Sequence, residues 1–312
     1  NVDIKLYGSY ATQTSLIWSE VDLLIIPNID PNGLNENFYI SFIQNIFHKL
    51  KNSFFTQKVA ILEDTQIITP IIKLETNEKN NNLIYNIYVL DNTNYEDDPK
   101  NLDDNSLLNS VIMVNDYNNK YKGKFIPLLL GLKQLLYSSN LINNYYNNRS
   151  DININNISNY NEGISSYALN IMLMAFLDQR QYDTFDISLG QIFIDFLKIQ
   201  GYLMHENNNR IISIDYNNSN EEKNDEIKYF ENNNLDSLII IDPFNSRNNL
   251  CEKMYGYSHI KLALMIAYCV LKDNCECSCH YDESICYEGK NHCILNRIFK
   301  TIKRFTNIRK NH

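Results

Sequence analysis

Two carboxylates, Glu20 and Asp22, stand two residues apart at the head of an apolar run, Val21 and Leu23 to Ile26. On a β-strand alternate residues share a face, so both acids point at one spot. Such a pair can hold a divalent cation, because Mg²⁺ takes a few carboxylate oxygens and leaves the rest of its shell to water and phosphate. A dozen residues upstream, Gly8 and Ser9 follow a β-rich run, Ile4 to Leu6. Glycine lets the backbone approach a triphosphate closely, and Ser9 offers it a hydroxyl and an amide. Without the Gly-Ser turn, Glu-x-Asp would read as a half-buried strand with two solvent-facing acids.

These residues need a scaffold. Glu36 to Lys51 has apolar residues at helical spacing, and Val59 to Leu62, Thr69 to Leu74 and Leu83 to Leu90 read as strands. Together with the first two strands they predict a small mixed sheet with the acidic pair on one edge. The second half reads as helices over Lys124 to Leu141, Glu162 to Arg180, Ser188 to Tyr202 and Tyr255 to Lys272, with short strands at Ile211 to Asp215 and Leu238 to Ile241.

The 312 residues suit one large or two medium domains. The chain starts at Asn1, with its first strand almost at the end, which reads as a fragment. The apolar stretch Leu128 to Leu136 is too short to span a bilayer, so a soluble intracellular protein without membrane contact is expected. A net charge of −9 argues against a broadly basic nucleic-acid surface but leaves room for a local groove. The dense basic run is Lys300 to Lys310. Asparagine-rich stretches at 77–82, 143–148, 152–161 and 217–225 read as polar spacers.

The pattern GSYATQTSLIWSEVDLLI resembles the signature of the polymerase-beta-like nucleotidyltransferases, and most of all the noncanonical poly(A) polymerases and terminal uridylyltransferases. Further matches follow in the family's order. LGLKQLL resembles the helix whose lysine, here Lys133, reaches the triphosphate. GISSY resembles the segment whose serine touches phosphate, here Ser165 or Ser166, and whose ring, here Tyr167, stacks on the base. IDPFNSRNN resembles the nucleotide recognition motif, Asp242 to Asn249, with Asp242, Asn245, Asn248 and Asn249 as base-facing candidates. Taken one at a time, these residues would read as helix caps or core.

The resemblance implies an α/β nucleotidyltransferase lobe with a mixed sheet over 1–115, a mostly helical central lobe over 116–312, and a nucleotide in the cleft between them. It implies template-independent transfer of AMP from ATP to an RNA 3′ end with Mg²⁺ or Mn²⁺, as in nuclear RNA-surveillance poly(A) polymerases, with RNA-binding partner proteins. Glu20 and Asp22 would be the metal ligands.

The chain departs from the family at Asn86, at Cys251-Glu252 and, more mildly, at Glu20, where Asp is more usual. The family's third acid, which binds the ion that activates the 3′-hydroxyl, falls here on Asn86. A neutral amide is a weak ligand and accepts no proton, so a severe loss of rate is expected. Asp91 cannot stand in, since it faces the other side of the strand some ~16 Å along it. Natural decay and an introduced Asp→Asn exchange both remain open as the origin of Asn86. Cys251-Glu252 stands where the family has Gly-Arg, and Asn248 where uridylyl-transferring relatives carry histidine. The rival readings are a pseudoenzyme that binds RNA or serves as a scaffold, and a uridylyltransferase.

Five of seven cysteines lie at 275–293, an insertion relative to the family. Cys275, Cys277, Cys279, His280, Cys286, His292 and Cys293 could hold one Zn²⁺, or form a free cysteine-rich loop. The spacing matches no standard pair of C-x₂-C hooks.

Overall fold

The computed structural model describes residues 2–17, 19–27, 36–62, 71–77, 83–89, 104–139, 141–142, 163–180, 187–202, 210–214, 238–252, 254 and 257–272. The chain divides into two compact units, Asn1–Asn119 and Lys120–His312.

In the first unit β1 (Val2–Tyr7), β2 (Val21–Pro27), β3 (Thr56–Leu62), β4 (Ile71–Thr76) and β5 (Ile84–Val89) form one sheet in the order β1-β2-β5-β4-β3. Only the β2 and β5 pair is parallel; β1 with β2, β3 with β4 and β4 with β5 are antiparallel. The sheet is therefore mixed, as expected. The acidic pair is not on its edge, however: β2 lies between β1 and β5, because β5 returns parallel to β2 instead of extending a meander. Gly8 and Ser9 open a single helical turn, α1 (Gly8–Ala11), between β1 and β2.

One sheet face is covered by α2 (Glu36–Lys51). Its Tyr39 and Ile43 are buried against Ile25, Ile72, Leu74, Ile87 and Val89, and the Tyr39 hydroxyl donates to the Val89 carbonyl. The alternation of apolar residues along β2, β4 and β5 supplies that face. It leaves Asp22, Asn86 and Lys73 on the other one. There Tyr7 and Leu24 pack with Tyr88 and with Val111 of α3 (Asp104–Lys120). The Tyr7 and Tyr88 rings meet edge to face at 5.2 Å. No sequence signal anticipated α3, whose stretch DNSLLNSVIMVNDYNNK is too polar to show an apolar stripe.

The second unit is built on α4 (Phe125–Ser138) and α5 (Ser166–Arg180). All ten residues from Ala168 to Leu177 are buried, so α5 is enclosed on every side and is the core of its unit. The helix α6 (Leu189–Leu197), capped by the Ser188 hydroxyl on the Gln191 amide, runs on into a π-helical turn, Lys198–Tyr202. A second sheet, β6 (Arg210–Ile212), β7 (Leu238–Asp242) and β8 (Asn245–Asn249), and the helix α7 (Tyr257–Lys272) complete the described elements. The β7–β8 hairpin is a finding, since 245–249 read as loop.

The π turn packs directly on α7. A Cβ on Gly201 would sit 2.4 Å from the Met265 amide nitrogen. Backbone cannot yield as a flexible side chain can, so Gly201→Ala is expected to cost about 2–3 kcal/mol, the upper part of the range for overpacking. Thermal unfolding should show the drop, and an unchanged midpoint would refute this packing.

Candidate functional site

The register of the sheet places one residue from each strand in a row: Tyr7 opposite Asp22, Asp22 opposite Asn86, Asn86 opposite Lys73, and Lys73 opposite Ala60. Residues paired in this way share a face. Glu20 enters the row from just before β2.

Asn86 is 7% exposed, and its amide nitrogen reaches both acids, at 2.7 Å from Glu20 Oε2 and 3.0 Å from Asp22 Oδ1. The expected convergence of the two carboxylates is thus present. Lys73 Nζ ion-pairs with Glu20 Oε1 at 2.8 Å, the two side chains being 11% and 20% exposed. The sequence reading assigned no role to this lysine. The signal was there: a cation in the otherwise apolar stretch Ile71 to Leu74, on the polar parity of β4.

Gly8 closes the site from the end of β1. Its φ is +65°, and an added Cβ would lie 2.3 Å from Asp22 Oδ2. Both the backbone conformation and the space require glycine here. Thr12 holds the turn in place: its hydroxyl donates to the Gly8 carbonyl at 3.0 Å and pairs with the Thr14 hydroxyl at 2.8 Å. The Thr14 amide donates to the Ser9 carbonyl at 2.8 Å. Ser9 is half-buried in this turn.

The carboxylates offer hard oxygen donors around a point now served by one amide nitrogen, and such a pair suits a single Mg²⁺. The Asn86 carbonyl oxygen, Oδ1, is buried without a hydrogen-bond partner. Turned about its last bond, that amide would present Oδ1 to a cation, as a neutral third ligand. Among the described residues no cluster of three or more His, Cys, Asp or Glu side chains could hold a metal. The seven zinc candidates from Cys275 to Cys293 lie outside the described residues.

The second unit gathers a different group. Asp242 is buried and accepts from the Tyr167 hydroxyl at 3.1 Å, the Phe244 amide at 3.1 Å and Asn248 Nδ2 at 3.2 Å. Asn249 Oδ1 accepts from the Ile240 and Cys251 amides at 3.1 and 3.0 Å, and Asn245 pairs with Asp242 in the hairpin register. Ser165 Oγ caps α5 on the Ala168 amide at 3.0 Å, and Ser166 is the first residue of that helix. Lys133 is buried on α4. Cys251 is buried too, its thiol pushed up to about 12 by burial, while the neighbouring Glu252 is exposed.

Burial raises the Asp242 carboxyl above its ordinary value even though its three donors act to lower it. Burial also raises the Tyr167 hydroxyl, assisted by the Asp242 charge, so this tyrosine stays protonated and donates. A carboxyl raised in the folded state binds its proton more tightly there than in the unfolded chain. Its contribution is full below the unfolded value and is lost as pH rises through the folded one. Asp242→Asn should therefore flatten the fall in melting temperature as pH climbs from about 4. A parent and variant with parallel pH profiles would contradict this.

No family model matches the sequence, and no curated protein does. Solved structures do match. The polymerase core of TRAMP, an RNA surveillance complex, aligns at a TM-score of 0.64 and 19% identity over 96% of this chain and 82% of that one. A mutant of the Cid1 poly(U) polymerase bound to MgATP aligns at 0.59 and 15% identity, over 88% and 84%. An mtPAP mutant in complex with ATPγS aligns at 0.59 and 13%, over 88% and 60%. The chain thus has the fold of the TRAMP polymerase core and of the Cid1 poly(U) polymerase.

Proposed function

We propose that this protein is a template-independent RNA 3′-end nucleotidyltransferase that takes AMP from ATP and works slowly. The observation that carries the reading is the meeting of Glu20 and Asp22 on the Asn86 amide, beside a glycine turn with no room for a side chain. The fold it shares with RNA-tailing polymerases supports the same chemistry.

In this reading Glu20 and Asp22 hold a Mg²⁺ or Mn²⁺ ion that neutralises phosphate charge when bound. The Gly8–Ser9 turn faces the phosphates. The 3′-hydroxyl oxygen bonds to the α-phosphorus as the bond to the departing pyrophosphate breaks, and the hydroxyl proton must leave. Asn86 cannot accept that proton and the two acids would be engaged in holding the ion, so the proton passes to solvent water, which is why transfer is proposed to be slow. Within the second unit, Lys133, Ser165 or Ser166, Tyr167 and the Asp242–Asn249 segment are proposed as nucleotide contacts, as the resemblance implies. The inward ties of Asp242 make it the brace of that loop, leaving Asn245 and Asn248 the better placed to meet a base. Adenine is favoured over uracil on Asn248 alone. Protein partners that supply RNA selection, and a nuclear setting, are proposed by analogy with the TRAMP core.

A second reading rests on one geometric fact, that the Asn86 amide already satisfies both acids without a cation. The protein would then bind nucleotide or RNA as a scaffold and transfer nothing.

Primer extension with each of the four ribonucleotides, in Mg²⁺ or Mn²⁺, separates the two. Weak extension with ATP is expected from the parent, and a gain of about 10²-fold or more from Asn86→Asp, the scale of a restored base. Preference for UTP would move the reading to uridylyl transfer. No extension by either protein would sink it. Asp22→Asn in the Asn86→Asp background should abolish the gain and weaken MgATP binding measured by calorimetry.

A further inference from the structure

The end of the sheet that carries the acids also carries an unusual turn. The starts of β2, β3 and β5 and the end of β4 lie together, as the register requires. The turn between α2 and β3 is therefore on the same rim as Glu20 and the Gly8–Ser9 turn, three strand spacings away, or about 15 Å.

At its tip Phe54 is 91% exposed, the most exposed of the large apolar residues described. An isolated surface phenylalanine needs no explanation by itself. This one is held out by a braced backbone. The Ser53 amide donates to the Leu50 carbonyl at 3.0 Å, and Thr56 closes the turn with its amide on Ser53 at 3.2 Å and its hydroxyl on Leu50 at 2.6 Å. From the end of β4, Asn77 donates its side-chain amide to the Phe54 carbonyl at 2.9 Å and its backbone amide to Phe55 at 3.0 Å. Phe55 turns into the core and meets the Phe54 ring edge to face at 5.6 Å. The outer ring thus rests against Phe55 and keeps most of its surface in water.

Lysines cluster near Phe54 in sequence, in a protein that is acidic overall. The described lysines of the first unit are Lys5, Lys49, Lys51, Lys58 and Lys73, and three of these flank Phe54 within five residues in sequence. Exposed His48 precedes them, and Lys58 faces an acid, Glu75, at a loose 3.8 Å. Lysines in the last turn of α2 also suit the helix dipole. That accounts for Lys49 and Lys51 but not for Lys58 on the strand, nor for the exposed ring between them. Lys58 shares the parity of Ala60, so it stands on the sheet face of Lys73 and Asp22.

We propose that Phe54, with Lys51 and Lys58, is a contact for single-stranded RNA a few nucleotides back from its 3′ end: the ring stacks on a base and the two ammonium groups meet phosphates. An aromatic face takes any base, and cations beside it follow the backbone. The inference rests on the reading of the first unit as a site for an RNA 3′ end.

The test is the affinity of the full chain for a short fluorescent oligoadenylate, without nucleotide and over a range of salt, with MgATP binding measured separately. Phe54→Ala should weaken RNA binding about tenfold, and Phe54→Trp should preserve it. Lys51→Gln with Lys58→Gln should lower the slope of log affinity against log salt by about 1.4, near 0.7 for each phosphate that no longer meets an ammonium group. MgATP binding should be unchanged in all of them. Equal RNA affinity of parent and Phe54→Ala, or no RNA binding by the parent at low salt, overturns the proposal. If the parent binds RNA in a Phe54-dependent way but never binds MgATP, the nucleotide reading fails and this RNA site stands.

Discussion

One buried amide holding two carboxylates together is the constraint on which the rest of this structure turns. Two like charges about 4 Å apart repel by roughly 4 kcal/mol at the effective dielectric of a protein surface. Something must oppose that, and here the opposition comes from Asn86 donating to both acids and from Lys73 beside Glu20. The sheet order is what makes this possible. Only with β5 between β2 and β4 do Asn86 and Lys73 fall in one row with Asp22. Gly8 completes the arrangement by having no side chain where the Asp22 carboxylate lies.

The parts of this arrangement that repeat locally were legible in the sequence, and those that depend on which strands are neighbours were not. Period-two alternation identified Glu20 and Asp22 as sharing a face, and the family resemblance pointed to Asn86 as the residue of β5 to watch. Alternation says nothing about strand order, so the acidic pair was expected at an edge and lies inside. The partnership of Lys73 with Glu20, 53 residues apart, is invisible for the same reason. Thr12 and Thr14 brace the Gly8 turn through hydroxyls whose targets are set by one backbone conformation, which single letters do not encode. α3 escaped because its polar residues blur the helical stripe.

The two units solve the problem of a buried acid in different ways. Asp242 is surrounded by uncharged donors, a phenol, an amide nitrogen of the backbone and a side-chain amide, and burial still raises it. Neutral donors steady a carboxylate but do not cancel its charge, so the loop from β7 to β8 is fixed at the cost of desolvation. Glu20 and Asp22 remain partly exposed, and a full positive charge stands next to one of them. An acid kept near solvent with a replaceable counter-charge can exchange that partner for another cation, whereas one tied inward cannot. The first arrangement suits ligand exchange, and the second suits shape.

An amide in place of a carboxylate changes charge and proton affinity while leaving size almost untouched. That is why Asn86 fits the row without disturbing the register, and why the fold stays close to that of RNA-tailing polymerases at under 20% identity. Binding and turnover separate at this position. In the proposed reading the two converged acids and the glycine turn act on the ground state. In that reading the carboxylate replaced by Asn86 is the one that would act as the hydroxyl loses its proton, and binding that is equal in ground and transition state adds nothing to the rate of that step. On the proposed reading this row suits holding a nucleotide better than transferring it, which is why transfer is proposed to be slow.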